Sequence, residues 1–199
     1  MLAGCRRLLY WPIALDATML GGADAWLSSQ LHHHDANPDL VTWTSLEGRC
    51  PAELGAFDLL FVGGGNTFSL LAQMRDHGFV EPVQRFVRSG GNYYGGSAGA
   101  IVACDSIEIA AGADSNDVRL QDLTGLSLLT GIAFLPHYTA DQKDATSVWS
   151  HQHGLPVLAV PERAGVVMED GGLRAVGPES VWKIDGSRAT AYDSGDMLR

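Results

Sequence analysis

Cationic side chains are scarce in this chain: 13 Lys and Arg against 23 Asp and Glu leave a formal net charge of −10. Affinity for nucleic acid rests on clustered basic groups that neutralise phosphates, so this balance argues against a nucleic-acid partner. Cysteine is scarcer still. Cys5, Cys50 and Cys104 are too few and too scattered for a disulfide framework or a closed zinc site, and no C-x-x-C pair occurs, so a reducing, cytoplasmic setting is expected. Long apolar runs are missing as well. Leu59-Leu60-Phe61-Val62 and Leu155-Pro156-Val157-Leu158-Ala159-Val160 stop far short of the ~20 residues that cross a bilayer, and no membrane partner is expected. Residues 1–7 lack a basic stretch leading into a long apolar core, and no secretory leader is expected there.

Glycine, by contrast, is abundant, with 24 of 199 residues, and 46% of the chain is hydrophobic. That length supports one well-buried core, so a single domain over residues 1–199 is expected. Through the first two thirds, short apolar runs alternate with amphipathic ones, the pattern of a mostly parallel sheet covered by helices. Strands are predicted over 8–13, 40–44, 58–62 and the segment before Ser97, with 58–62 central because it is apolar after its first residue. Helices are predicted over 23–32, 51–56, 67–76 and 80–89, the last two closed by Gly78 and by Gly90-Gly91. Residues 107–110 read as extended, 112–116 as a loop, and 132–135 as a strand ending at Pro136-His137. In the tail, the runs 155–160, 165–169, 173–176, 181–184 and 189–192 are separated by turn formers, and Asp170-Gly171-Gly172 signals a hairpin. The expectation is a β-rich C-terminal extension, either of the same sheet or as a small antiparallel appendage.

Asn92-Tyr93-Tyr94-Gly95-Gly96-Ser97-Ala98-Gly99-Ala100-Ile101-Val102 reads as a strand, a sharp turn and a helix, with Ser97 of a G-x-S-x-G pentad at the corner. Such a corner lifts the hydroxyl out of the sheet beside the unpaired N–H groups of the new helix, giving a nucleophile and half of an oxyanion hole. In so glycine-rich a chain the pentad also suits a plain small-residue turn that packs a helix on a sheet. A catalytic serine needs a base, and the base an orienting carboxylate. Among the seven histidines, His32-His33-His34 splay by about 100° per residue on a helix and read as solvated. His77 sits at a helix C-terminus, where the dipole accounts for it. His151 and His153 stand near a helix end with only two candidate metal ligands. His137 follows an apolar strand, at the edge where open α/β sheets bind ligands, although a hydrogen-bonded loop histidine fits that place too. Gly63-Gly64-Gly65-Asn66-Thr67 likewise follows a strand and opens a helix. It has neither the Gly-Lys-Ser/Thr of a P-loop nor G-x-G-x-x-G spacing, and its backbone N–H groups suit an oxyanion.

Four motifs in order, Gly63-Gly64-Gly65-Asn66-Thr67-Phe68, Gly95-Gly96-Ser97-Ala98-Gly99-Ala100, Leu135-Pro136-His137-Tyr138 and Val160-Pro161-Glu162, resemble the S51 serine peptidases, the family of the α-aspartyl dipeptidase peptidase E. The resemblance implies a mostly parallel, flavodoxin-like α/β fold in three layers, related to the class I glutamine amidotransferases. It implies Ser97 as nucleophile, His137 as base and then acid, and Glu162 as the orienting carboxylate, with Asp114 as a supporting or alternative third member. Backbone N–H groups of Gly65 and Ala98 would form the oxyanion hole. Gly64 and Asn66 would face substrate, although for Asn66 holding the glycine turn is the slightly preferred reading. A short peptide is the implied substrate, cleaved through an acyl-enzyme with no metal or cofactor.

Two departures from the family pattern stand out. The strand and helix that usually precede the segment matching residues 7–13 are expected to be missing, and a homodimer that covers the resulting open sheet edge is a further expectation. Residues 138–159 hold no arginine that could pair with an aspartyl side chain, only Lys143, which offers a point charge without the bidentate fork. A cyanophycinase-like hydrolase of β-aspartyl peptides and a non-catalytic flavodoxin-like binding module are the alternative readings.

Overall fold

A computed structural model describes residues 4–169 and 171–198, which group into two compact units, Met1–Leu128 and Leu129–Arg199. In the first unit β1 (Arg7–Trp11), β2 (Asp39–Thr42), β3 (Leu59–Val62) and β4 (Asn92–Gly95) form a parallel sheet in the order β2-β1-β3-β4. That is the strand order of the flavodoxin-like α/β class. Consecutive residues Leu8 and Leu9 of β1, and Leu59 and Leu60 of β3, are all buried, as interior strands covered on both faces require. On one face α1 (Ala17–His33) packs Ala23, Leu27 and Leu31, one helical stripe, against Leu8, Tyr10 and Leu59. Further helices are α2 (Thr67–Asp76), which buries Phe68, Leu70, Leu71 and Met74, α3 (Val80–Arg88), and α4 (Ala98–Val102), which leaves β4 through Ser97.

Helix α1 starts well ahead of the expected residue 23, because the Asp16 carboxylate accepts the Thr18 N–H at 2.9 Å and opens the helix there, with Gly21-Gly22 carried inside it. Residues 107–110 are not extended. They enter a 3-10 turn, Glu108–Gly112, where the Ser106 hydroxyl accepts the Glu108 N–H at 3.2 Å and Ile107, Ile109 and Ala110 are buried. Isoleucines at alternate positions suit a strand, but the local Ser106 hydroxyl bond and the Ala-Ala-Gly that follows favour the tight turn.

The second unit holds β5 (Ala133–Pro136), α5 (Lys143–His153), β6 (Val157–Val160), β7 (Gly165–Glu169), β8 (Gly172–Val176), β9 (Val181–Asp185), β10 (Arg188–Tyr192) and β11 (Met197–Leu198). One sheet runs β10-β9-β6-β5, with β5 and β6 parallel and β9 and β10 added antiparallel. A second, antiparallel sheet runs β11-β8-β7. The tail thus supplies both a continuation of a sheet and a separate β element. In the expected 170–172 hairpin, Asp170 lies outside the described residues; the strands flanking it, β7 and β8, are paired. Helix α5 ends at Gly154, whose φ of 59° suits the left-handed helix stop. Among the described residues no helix is long and apolar enough to cross a membrane.

Candidate active site

Strands β3 and β4 run side by side with Val62 opposite Gly95, so the segments that follow them stand at one sheet edge. After β4 the chain turns through Gly96 and Ser97 into α4. Ser97 holds φ 50° and ψ −110°, a backbone state that costs a non-glycine residue on the order of 1–3 kcal/mol and persists only where neighbouring bonds impose it. Here the Gly96 N–H donates to Val62 O at 2.9 Å, the Gly99 N–H to Gly96 O at 2.9 Å, and the Ala100 and Ile101 N–H groups to Ser97 O. The pentad's glycines are needed for close approach: a Cβ on Gly95 would lie 2.5 Å from Gly99 O, and one on Gly99 would lie 2.1 Å from Val62 O. Tyr93 of β4 reaches across the same corner, its hydroxyl donating to Gly99 O at 2.6 Å.

The glycine turn passes beside the serine. A Cβ on Gly64 would lie 3.1 Å from Ser97 Cβ and 3.7 Å from its Oγ, and one on Gly65, at φ +131°, only 2.0 Å from Ala14 O. Ala98 is the first residue of α4, so its N–H has no intrahelical partner and is free in principle for an oxyanion. Asn66 caps α2: its Oδ1 accepts the Ser69 N–H at 2.9 Å and its Nδ2 donates to Ser115 O at 2.8 Å. Both ends of the amide are thus engaged within the protein, bonds that hold the turn. The Asp114 carboxylate accepts the Thr67 N–H at 2.8 Å and so holds the first turn of α2.

In the second unit β5 and β6 are parallel with Pro136 opposite Val160, and His137 and Glu162 come just after these strand ends. His137 sits at φ 55°, a left-handed state that histidine adopts more readily than most residues, and the Tyr138 N–H donates to Val160 O at 3.1 Å just beyond it. Glu162 Oε2 is hydrogen-bonded to His137 Nδ1. The two side chains are 58% and 74% exposed, so the pair adds little stability. A carboxylate on an imidazole Nδ1 can hold the proton there, which would present Nε2 as an acceptor. Of the two acids weighed from the sequence, Glu162 is the one that meets His137 within its own unit.

Of the other histidines, His33 and His34 meet edge to face at the end of α1, the backbone N–H of His77 donates to Gln73 O at the end of α2, and His153 stacks 4.0 Å from the Trp149 ring. Among the described residues no group of three or more His, Cys, Asp or Glu is placed to hold a metal ion. The sequence reading missed the Tyr93 bond and the helix-capping role of Asp114. A tyrosine inside a strand signals that its hydroxyl needs a partner, but not which one.

The model of the peptidase family S51 matches residues 23–176. Peptidase E of Salmonella typhi is 31% identical over 151 residues, covering 69% of this chain and 64% of that protein. Peptidase E of Salmonella newport (strain SL254) is 29% identical with the same coverage, 69% and 64%. The chain thus spans just under two thirds of the length of the curated relatives it matches. Among solved structures, a peptidase from an acI-B1 Actinobacterium superposes with a TM-score of 0.71 at 17% identity, over 96% of this chain and 82% of that one, a likeness of fold. The matched residues take in the glycine turn, the serine corner, His137 and Glu162, and this chain belongs to peptidase family S51.

Proposed function

We propose that this protein is a serine peptidase that hydrolyses short peptides through Ser97, His137 and Glu162. The observation that carries the proposal is the backbone of Ser97, held at φ 50° and ψ −110° on a strand-to-helix corner, where a structural serine has no need of such strain. In this reading Ser97 Oγ attacks the peptide carbonyl while His137 Nε2 takes its proton. The Gly65 and Ala98 N–H groups receive the charge that develops on the carbonyl oxygen. His137 returns the proton to the leaving amine, leaving an acyl-serine, and a water deprotonated by the same imidazole releases it. Glu162 steadies the imidazolium formed at each step.

Preference for N-terminal aspartate is the finer question. Lys143, exposed at the first residue of α5, is the one Lys or Arg in residues 138–159, so we expect a graded preference for acidic peptides rather than an absolute requirement. A cytoplasmic setting, suggested by the unbridged Cys5, Cys50 and Cys104, and a homodimer, readable as twice the chain mass in light scattering, belong to the same proposal.

The test is hydrolysis of a panel of α-aspartyl, β-aspartyl and neutral dipeptides by the wild type and Ser97→Ala, with fluorophosphonate labelling of both. Wild-type turnover and labelling, both lost in Ser97→Ala, are expected. Full activity in Ser97→Ala, or no labelling of the folded wild type, would overturn the proposal. Turnover confined to β-aspartyl peptides would point to the cyanophycinase-like alternative.

A further inference from the structure

The strained corner at Ser97 raises a question that the backbone bonds answer only in part: what keeps it from relaxing? Helix α4 has five residues, too few for intrahelical bonds to stabilise it alone. Its cap N–H, on Ala103, turns back to Ile101 O. Tyr93, by contrast, is anchored in the parallel sheet opposite Leu60 and reaches forward six residues to Gly99 O at 2.6 Å. This bond ties the strand that enters the corner to the helix that leaves it, with Ser97 between. Burial raises the Tyr93 phenol well above its ordinary range, so it remains a donor throughout the working pH range of a peptidase. Its neighbour Tyr94 points to the opposite face, where its half-exposed ring meets Phe61 at 4.6 Å.

We infer that Tyr93 is the positioning residue of the nucleophile: its hydroxyl, donated to Gly99 O across the corner, holds Ser97 in the backbone state from which Oγ attacks. The inference rests on the peptidase reading for its functional consequence and on the corner geometry for its structural one. Tyr93 touches neither substrate nor reacting atoms. Removing its hydroxyl leaves the ring in the strand and lets the corner sample relaxed states in which Oγ is misplaced, and misplacement lowers the rate of attack more than binding.

The experiment compares full-length wild type, Tyr93→Phe and Tyr94→Phe. Fluorophosphonate labelling of Ser97 and dipeptide kcat and KM are read, with near-UV circular dichroism giving the folded fraction. In Tyr93→Phe the labelling rate and kcat per folded molecule should fall roughly 10- to 100-fold, with KM within about twofold, and Tyr94→Phe should stay within about twofold throughout. Rates within twofold of wild type in Tyr93→Phe would overturn the inference. So would a loss that only tracks the folded fraction, or a failure of Tyr93→Phe to fold, since the hydroxyl would then support the fold rather than the corner. Crystal structures of wild type and Tyr93→Phe give a readout independent of catalysis, the Ser97 φ, which should leave the positive region in the variant. A wild type that neither labels nor turns over would sink the peptidase reading, while an unchanged Ser97 φ in Tyr93→Phe would sink this one.

Discussion

Glu162 and Asp114 are both carboxylates in loops beside the candidate chemistry, and removing each should have opposite consequences. Glu162 contacts His137 Nδ1 while three quarters exposed, so the bond adds little stability and, in the proposed triad, would serve orientation. Glu162→Gln should lower kcat by roughly 10²- to 10⁴-fold, through the wrong imidazole tautomer, with a melting temperature close to wild type. Asp114 accepts a helix N–H. Asp114→Ala should cost about 1 kcal/mol, or roughly 2–4 °C in Tm, while kcat stays within about tenfold. Steady-state kinetics and thermal melts on the two variants separate the roles; reversed results would make Asp114 the functional acid. On residue type alone the two acids were indistinguishable, and only the family resemblance ranked Glu162 first, because residue type says nothing of which donor a carboxylate will meet. Ser97 was legible, since the glycines around it announce a corner that only close backbone contact requires.

At the scale of elements, legibility followed the local signals. Helix α2 falls on its expected bounds because Asn66 caps its start and Gly78, at φ +71°, follows its end. Helix α1 was expected only from residue 23, yet it begins at Ala17 and carries Gly21-Gly22 inside it, because the Asp16 cap opens it early and the packing of Ala23, Leu27 and Leu31 outweighs the low helix propensity of two glycines. Strand β11 escaped notice because two residues carry no periodicity; its pairing with β8 creates it. The same reasoning identifies contacts that can be tested. Gly99 lets α4 approach β3 so closely that Gly99→Ala, with its Cβ 2.1 Å from Val62 O, should cost roughly 3 kcal/mol or abolish folding. Chemical denaturation measures it; a loss under about 1 kcal/mol would mean that the corner is more plastic than its geometry implies. Asp58 ties down the start of β1 by accepting the Arg7 and Arg6 N–H groups, which lower its pKa, with the Arg6 guanidinium adding to the effect. A lowered folded-state pKa means that the stabilisation is fully present above the unfolded-state value, near 4, and is lost as pH falls through the folded-state value. Asp58→Asn should therefore be less stable than wild type at pH 7, and the gap should close toward pH 2 to 3 in paired melts.

For the whole molecule, the acidic balance is an argument about partners rather than shape. At −10 the protein should give no gel shift with DNA at physiological salt. A deeper question concerns how its chemistry is divided along the chain. The strained serine, the glycine turn and Ala98 belong to the first compact unit, and the His137–Glu162 pair to the second. The proposed triad requires the two units to act as one machine, and that requirement has a kinetic signature. Groups that act together in one step are non-additive: once one is gone, losing the other costs little more. Ser97→Ala and His137→Ala should each lower kcat by roughly 10⁴-fold or more, and the double variant should fall no further than about tenfold below the worse single one. Independent contributions would instead multiply, to roughly 10⁸-fold. Fluorophosphonate labelling probes the same coupling without substrate, because attack by Ser97 needs a base to remove its proton. Labelling of His137→Ala at the wild-type rate would mean that the serine of the first unit works without the histidine of the second, and the division of the chain would then be a division of function.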